Sequence, residues 1–402
     1  MTILHVIQSM HPNSGGPCQG IRNLDESMNR LGVTREVVCL DPPDSSYIAN
    51  DKFQVHAIGN GVSRLHYNSR LVPWLIENIK RFDVVIINGL WSYHSYATWN
   101  VVRNFKLKNQ GHKQPLLFVM PHGMLDPYFQ KAKGRKLKAI RNYVYWDLVE
   151  KKVVNGADGL LFTCETELLL ARGTFKHYHP KKEFNVGFGI ERPLPYNQNM
   201  TIAFKNSCVG LGDSPYLLFL SRIDKKKGVD LLVQAYISLR KFNGFVNSPI
   251  PKLVVAGPGL NTGYGKKVKA QLDKFPEMKS EIFFPGMLVD EAKWGAFYGC
   301  QAFILPSHQE NFGIALVEAL ACRKPVLISN QVNIYQEVII SGSGIVQEDT
   351  LKGVKKMLIN WFELTEIEQA EMSDKAFTAF NTFFDIGRIA QNFVKVFANE
   401  EN

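Results

Sequence analysis

No apolar run in this chain approaches the 18 or so residues that a spanning helix needs, so no transmembrane segment is expected. The six cysteines (Cys18, Cys39, Cys164, Cys208, Cys300, Cys322) contain no Cys-x-x-Cys pair. That spacing argues against a zinc site or a disulfide framework, and reduced thiols in the cytosol are the simplest reading. Repeats of 20–50 residues and low-complexity tracts are also missing, which excludes solenoid and array architectures. The first residues, Met1 to Ile7, have no basic region ahead of their apolar stretch, so they read as a strand and not as a signal peptide.

What is present is an ordinary soluble composition, 45% hydrophobic and 21% charged, over 402 residues. That length suits two domains with a substantial core each. A formal charge of +10 invites an anionic partner. The charge is concentrated. Between Phe129 and Lys152 stand eight basic residues (Lys131, Lys133, Arg135, Lys136, Lys138, Arg141, Lys151, Lys152) and two acidic ones, Asp147 and Glu150. Leu137, Ile140, Tyr143, Val144, Trp146 and Leu148 are interspersed. An amphipathic helix with aromatic anchors fits this stretch, lying on an anionic membrane or binding an anionic acceptor; so does a solvated helix whose apolar side is core.

Short β-rich runs alternate with helical stretches, the pattern of βα units and parallel sheets. Strands are expected at Ile3–Ile7, Glu36–Leu40, Val55–Ile58, Val84–Asn88, Leu116–Met120 and Gly159–Thr163, with helices at Gln19–Leu31 and Val72–Lys80 among them. A linker is expected after Phe184–Glu191, over Arg192–Asn199. The pattern then restarts. Strands at Tyr216–Ser221, Lys252–Ala256, Glu281–Phe284, Ala302–Leu305 and Val326–Ser329 accompany helices at Val229–Leu239, Lys266–Phe275 and Ala315–Cys322. Apolar residues at Ile386, Ile389, Ala390, Phe393 and Val396 or Phe397 have helical spacing.

The most informative segment is Glu310-Asn311-Phe312-Gly313-Ile314-Ala315-Leu316-Val317-Glu318, after the strand Ala302–Leu305. If Gly313 opens the helix, Glu310 lies on the loop before it and Glu318 roughly 8 Å inside it, at 1.5 Å per residue. A helix N-terminus has free N–H groups and a positive dipole, which suit a diphosphate. A nucleotide-sugar fits that layout. The window Leu305 to Gly313, with Val317 to Cys322 and Pro325-Val326, resembles the glutamate-x7-glutamate motif of retaining glycosyltransferases of family 4. One departure is visible: family members commonly carry Gly near position 323, where this chain has Arg323.

The resemblance implies an α/β protein of the GT-B fold, with two facing Rossmann-like domains, parallel sheets and a cleft between them. The expected boundaries are 1–190 for an acceptor-binding domain and 191–380 for a nucleotide-sugar-binding domain, with a last helix (about 381–402) crossing back to the first. It also implies roles. Arg222-Ile223-Asp224-Lys225-Lys226-Lys227-Gly228, after a strand, matches the family's Arg-x4-Lys-Gly element, so Arg222 and Lys227 would neutralise the departing diphosphate. Some glycosyltransferases use an Asp-x-Asp metal site for that, but no Asp-x-Asp occurs here, so neither metal nor cofactor is expected. Glu310 would hold the sugar hydroxyls and Glu318 the ribose. Asn311, Phe312, Gly313 and Ile314 would meet the donor at the helix start, Gly257 in a Gly-rich loop, and Met287 and Leu288 beside the base. Asn13-Ser14-Gly15-Gly16-Pro17 matches an acceptor-side loop, giving Gly15 and Gly16. His122, after the strand Leu116–Met120, matches a family histidine near the donor's sugar. His94 and His308 are lesser candidates, and Trp91 and Tyr93 are either sugar platforms or core.

The expected function is transfer of a hexose from a nucleotide-diphosphate sugar to a glycan or lipid-linked acceptor, as in capsule, exopolysaccharide or O-antigen synthesis. The expected location is cytoplasmic or on the inner face of the plasma membrane, with Lys131–Arg141 as the contact. Two other readings stay open. A nucleotide-sugar epimerase or hydrolase of the same fold needs additional acid/base carboxylates in the first domain, where no clear cluster appears. A non-enzymatic binder of anionic polymer would use the basic stretch, yet no helix-turn-helix, RNA-recognition or zinc-finger pattern accompanies it, and no nucleic-acid partner is expected.

Overall fold

A computed structural model describes residues 1–131, 136–241 and 250–401, the last without its side chain. Lys133 and Arg135 of the basic stretch lie outside the described residues. The chain divides into two compact units, Met1–Ile190 with Ile386–Asn402, and Glu191–Asp385. The second unit thus runs five residues beyond the expected end at 380, because Phe380–Phe384 forms a single π-helical turn whose Phe384 packs on Phe312.

The first unit is built on seven parallel strands: β1 (Thr2–Ile7), β2 (Thr34–Cys39), β3 (Gln54–Ala57), β4 (Val84–Asn88), β5 (Leu116–Met120), β6 (Gly159–Phe162) and β7 (Glu183–Asn185). Their order is β3-β2-β1-β4-β5-β6-β7. The second unit repeats the plan with β8 (Tyr216–Leu220), β9 (Lys252–Ala256), β10 (Ile282–Gly286), β11 (Ala302–Leu305), β12 (Val326–Ser329) and β13 (Gly344–Gln347), ordered β10-β9-β8-β11-β12-β13. Both are doubly wound Rossmann-like sheets, whose strand order reverses beside the first strand of each. The near-continuous apolar runs of the central strands follow from burial on both faces.

β7 and β13 were not foreseen. Both are short edge strands with partly exposed residues, and neither has the apolar density of the central strands. The expected linker is shortened, since Asn197 accepts from the Met200 amide and caps a helix over Gln198–Ser207. The final helix, Ile386–Glu401, packs on the first sheet, with Ile389, Ala390, Phe393 and Phe397 buried among Ile3, Val84, Ile86 and Phe118. Its Phe397 ring lies 5.1 Å from that of Phe118. All six cysteines are buried and none forms a disulfide.

The basic stretch is helical over Tyr128–Lys131 and Lys136–Tyr145, then π-helical over Trp146–Glu150, then α-helical over Lys151–Gly156. Trp146 is not a surface anchor. It stacks on Phe175 at 4.7 Å, and its indole donates to the Lys176 carbonyl at 2.8 Å. Leu137, Ile140, Tyr143, Val144 and Leu148 are exposed, Leu137 to 84%.

Candidate active site

In the second unit the loops after β8, β9, β10 and β11 emerge at one carboxyl edge, where ligands bind in doubly wound sheets. Two glycines let these loops lie against one another. A Cβ on Gly228 would stand 2.2 Å from the Pro306 carbonyl oxygen, and one on Gly257 1.9 Å from that of Ser221. Both have positive φ, 66° and 137°, which side chains rarely adopt. Backbone bonds tie the same loops: Ile223 donates to the Pro258 carbonyl at 2.7 Å, and His308 to that of Lys226 at 2.8 Å.

This packing decides where the cations point. Asp224 accepts from the Lys226 amide, the turn Lys225–Lys227 closes on left-handed Gly228, and Lys227 is buried with its ammonium donating to the Glu310 carboxylate. Burial, with Lys226 and Arg222 nearby, pushes the ammonium down to about 7. Asp224 works the other way, and the Glu310 carboxylate accepts from the ammonium. Arg222 is exposed, and its guanidinium makes no hydrogen bond or ion pair among the described residues.

Glu310 is pinned through its backbone, its amide donating to the Gln331 carbonyl and its carbonyl accepting from Asn333, each at 2.9 Å. The chain then turns at Gly313 (φ 81°), which caps a helix over Ile314–Ala321. Leu316 and Val317 donate to the Gly313 carbonyl, so the amides of Ile314 and Ala315 precede the intrahelical bonds and face outward for a ligand. Asn311 accepts from Asn333 Nδ2 at 3.2 Å. Phe312 buries its ring against Phe384, leaving its backbone as its offering. Glu318 lies within the helix as expected, and Lys293 donates to it at 2.6 Å. Burial raises the Glu318 carboxyl, and Lys293 opposes this. Met287 is 67% exposed whereas Leu288 is buried, so of that pair only Met287 presents its side chain.

The first unit carries its own cluster at the carboxyl edge of β1, β4 and β5. Gly15 has φ 85° and Gly16 opens the helix Gly16–Asn23, with open space beside both. Asp41 ties down the loop after β1, accepting from the Met10 amide at 2.6 Å, Ser9 at 2.7 Å and Tyr47 at 3.0 Å. His122 follows β5 with φ 52°, and the next amide, Gly123, donates to the buried Glu167 carboxylate. The His122 ring meets Asn88 Oδ1 at 3.1 Å, and burial pushes it down to about 4.

Residues 207–378 match the family described as glycosyl transferases, group 1. Over that segment the second unit is similar to group 1 glycosyltransferases. The chain is 23% identical over 361 residues to the O-antigen chain mannosyltransferase C of Escherichia coli, covering 88% of this chain and 84% of that one. It is similar in fold to a glycosyltransferase from Rickettsia africae (TM-score 0.74, 14% identity, 99% of this chain and 98% of that one). It is also similar to Anabaena HepE solved with UDP and glucose (TM-score 0.71, 16% identity, 99% of each chain). These likenesses are those of the GT-B fold.

Among the lesser candidates, His94 is buried, with Nε2 3.0 Å from the Asn88 carbonyl oxygen, and ties its helix to the end of β4. His308 pairs with Asp349 at 2.8 Å. Trp91 packs near Phe175 (5.5 Å) and Tyr145 (6.2 Å), and Tyr93 near Tyr67 (4.7 Å). The sequence reading missed Lys293, Asp41, Asn88 and Glu167. Each acts through a partner distant in sequence, and no local spacing announces it. Among the described residues no cluster of His, Cys, Asp and Glu suited to a metal is found.

Proposed function

We propose that this protein is a group 1 glycosyltransferase that transfers a hexose, with retention, from a nucleotide-diphosphate sugar to a glycan or lipid-linked acceptor, as in capsule, exopolysaccharide or O-antigen synthesis. The observation that carries this reading is the alignment in the second unit of Arg222, Lys227, Glu310, the helix start at Gly313 and Glu318. A diphosphate at that helix start takes up the Ile314 and Ala315 amides, and the Arg222 and Lys227 cations neutralise the charge that develops as the nucleoside diphosphate leaves. That is the task a divalent metal performs elsewhere, and in this reading the two cations take its place. Glu310, already against Lys227, faces the sugar hydroxyls and stabilises oxocarbenium charge. Glu318 accepts from the ribose hydroxyls, and Lys293, which donates to it, opposes the upward push of burial on its carboxyl. In front-face substitution the acceptor oxygen bonds to the anomeric carbon on the side from which diphosphate departs, and the acceptor proton passes to the leaving phosphate. His122 and the Gly15–Gly16 loop serve the sugar and the acceptor from the first unit.

The experiment is thermal unfolding with excess UDP, GDP or ADP, one at a time. A ligand at 100 times its dissociation constant adds about 2.7 kcal/mol, a readable shift. A shift with one nucleotide that disappears in Arg222→Ala and Glu318→Ala supports the site and names the base. No shift with any of the three overturns it.

The exposed Leu137, Ile140, Tyr143, Val144 and Leu148 share one helical stretch with exposed Lys136, Lys138, Arg141 and Lys152. Apolar side chains beside cations suit an anionic membrane surface, where a lipid-linked acceptor resides. No helix among the described residues is long and apolar enough to cross a membrane. Co-sedimentation with anionic vesicles at low salt, lost in Leu137→Glu/Ile140→Glu, is the expected result; no co-sedimentation removes this part of the reading.

A further inference from the structure

His122 does not stand alone. Its Nε2 lies 3.1 Å from Asn88 Oδ1, and Asn88 Nδ2 lies 3.1 Å from the Ile86 carbonyl oxygen and 3.3 Å from His5 Nδ1. His5 lies within β1, Asn88 ends β4 and His122 follows β5, with β1 and β5 on either side of β4. The Ile86 carbonyl only accepts, so the amide NH₂ of Asn88 faces it, and Oδ1 necessarily faces His122. Since Oδ1 also only accepts, His122 donates from Nε2 and carries its lone pair on Nδ1. By the same logic His5 accepts at Nδ1 and carries its proton on Nε2, which has no hydrogen-bond partner among the described residues. Asn88 and His5 are both almost fully buried, whereas His122 keeps part of its surface. All three line one apolar pocket with Met120, Phe188 and Ile389.

We propose that Asn88, clamped by the Ile86 carbonyl and His5, fixes His122 in the Nε2–H tautomer, so that His122 meets its ligand through Nδ1 as an acceptor of a hydroxyl proton. This rests on the reading that His122 serves sugar transfer. Asn88 and His5 are positioning residues; His122 alone touches substrate. A sugar or acceptor hydroxyl is the ligand chemistry that an imidazole lone pair recognises, and a phosphate oxygen is the one it rejects. Burial favours the neutral ring, which keeps that lone pair available at neutral pH.

The test is nitrogen NMR on the full chain labelled with ¹⁵N-histidine, between pH 6 and 8. The wild-type spectrum is expected to show His122 neutral and almost wholly Nε2–H. A dominant Nδ1–H form, or an equal mixture, overturns the proposal without any variant. Asn88→Asp keeps the shape of the side chain but presents a carboxylate to both rings. It should bring His122 protonation into the pH 6–8 window and raise the acidic limb of the kcat–pH profile by at least one unit, with the nucleotide-induced thermal shift unchanged. Asn88→Ala should convert the single tautomer into a mixture and lower kcat about tenfold, with partial recovery in Asn88→Gln. An unchanged tautomer in Asn88→Ala overturns the clamp. Unchanged turnover in His122→Ala, with the tautomer as expected, overturns only the role of His122 in transfer, and so separates the two ideas.

Discussion

The Lys227 ammonium and the Glu310 carboxylate touch each other although 83 residues separate them, and each is mostly buried. The loops that carry them follow neighbouring strands at the point where strand order reverses. Lys227→Ala should therefore act twice. Turnover should fall about 10²-fold or more through loss of a phosphate cation. Stability should fall as well, by up to about 3 kcal/mol, because Glu310 is left buried and unpaired. Lys227→Met with Glu310→Gln removes both charges and should recover most of the stability and none of the turnover. Arg222, exposed and unpaired among the described residues, gives the contrast: Arg222→Ala should cost a similar factor in kcat while changing stability by less than about 0.5 kcal/mol. Steady-state kinetics and urea unfolding on the same four proteins decide this, and near-normal turnover in either single variant would sink the assignment.

Glu150 should make the chain less stable as pH rises. Its carboxyl is buried in the π-helical turn, accepts from the Trp91 amide at 2.7 Å and Ser95 at 2.8 Å, and is pushed up to about 7 from 4.5 by burial. A folded state that holds this proton more tightly than the unfolded chain gains stability below pH 4.5 and loses it as pH rises to 7. The whole span is about 3 kcal/mol at most. Glu150→Gln keeps the acceptor and cannot ionise, so its stability relative to the parent should climb between pH 5 and 8. Unfolding curves at four pH values test this, and a constant difference would place the carboxyl elsewhere on the pH scale.

The glycines separate close packing from turn geometry. Gly228→Ala and Gly257→Ala meet a carbonyl oxygen at 2.2 and 1.9 Å and also need positive φ. Each should cost roughly 2 kcal/mol or more, or abolish folding of the second unit. Gly15→Ala has open space and only its φ of 85° to overcome, so roughly 1 kcal/mol is expected. Comparable melting temperatures for all three variants would contradict this ranking.

Arg323 lies near where the resembled family is expected to carry glycine, and it keeps a left-handed turn at φ 59°. Lys324 donates to the Ala319 carbonyl at 2.9 Å and Arg323 to that of Leu320 at 3.0 Å, which closes the helix end in a Schellman arrangement. The Arg323 side chain pairs with Asp374 at 2.8 Å and lies over Phe377 at 4.8 Å, both at the surface. Surface contacts of that kind contribute little, so Arg323→Gly should raise stability by about 0.5–1 kcal/mol. A loss on thermal unfolding would mean that the Asp374 and Phe377 contacts outweigh the backbone strain.

The sequence by itself determined the parallel-sheet architecture, most central strands to within a residue or two, and the helix start at Gly313 between Glu310 and Glu318. These were legible because strand burial, helical spacing and glycine turns are local, and the signals lie within ten or so residues. The tertiary structure decided everything that depends on a neighbour distant in sequence. It put Trp146 against Phe175 and Leu288 in the core, turned the Phe312 ring to Phe384, and set Lys293 on Glu318, Asn88 on His122 and Lys227 on Glu310. A parallel sheet joins strands through long crossovers, so side chains that meet at its carboxyl edge are dozens of residues apart. No window on the sequence spans that separation, and only the folded sheet brings the partners together.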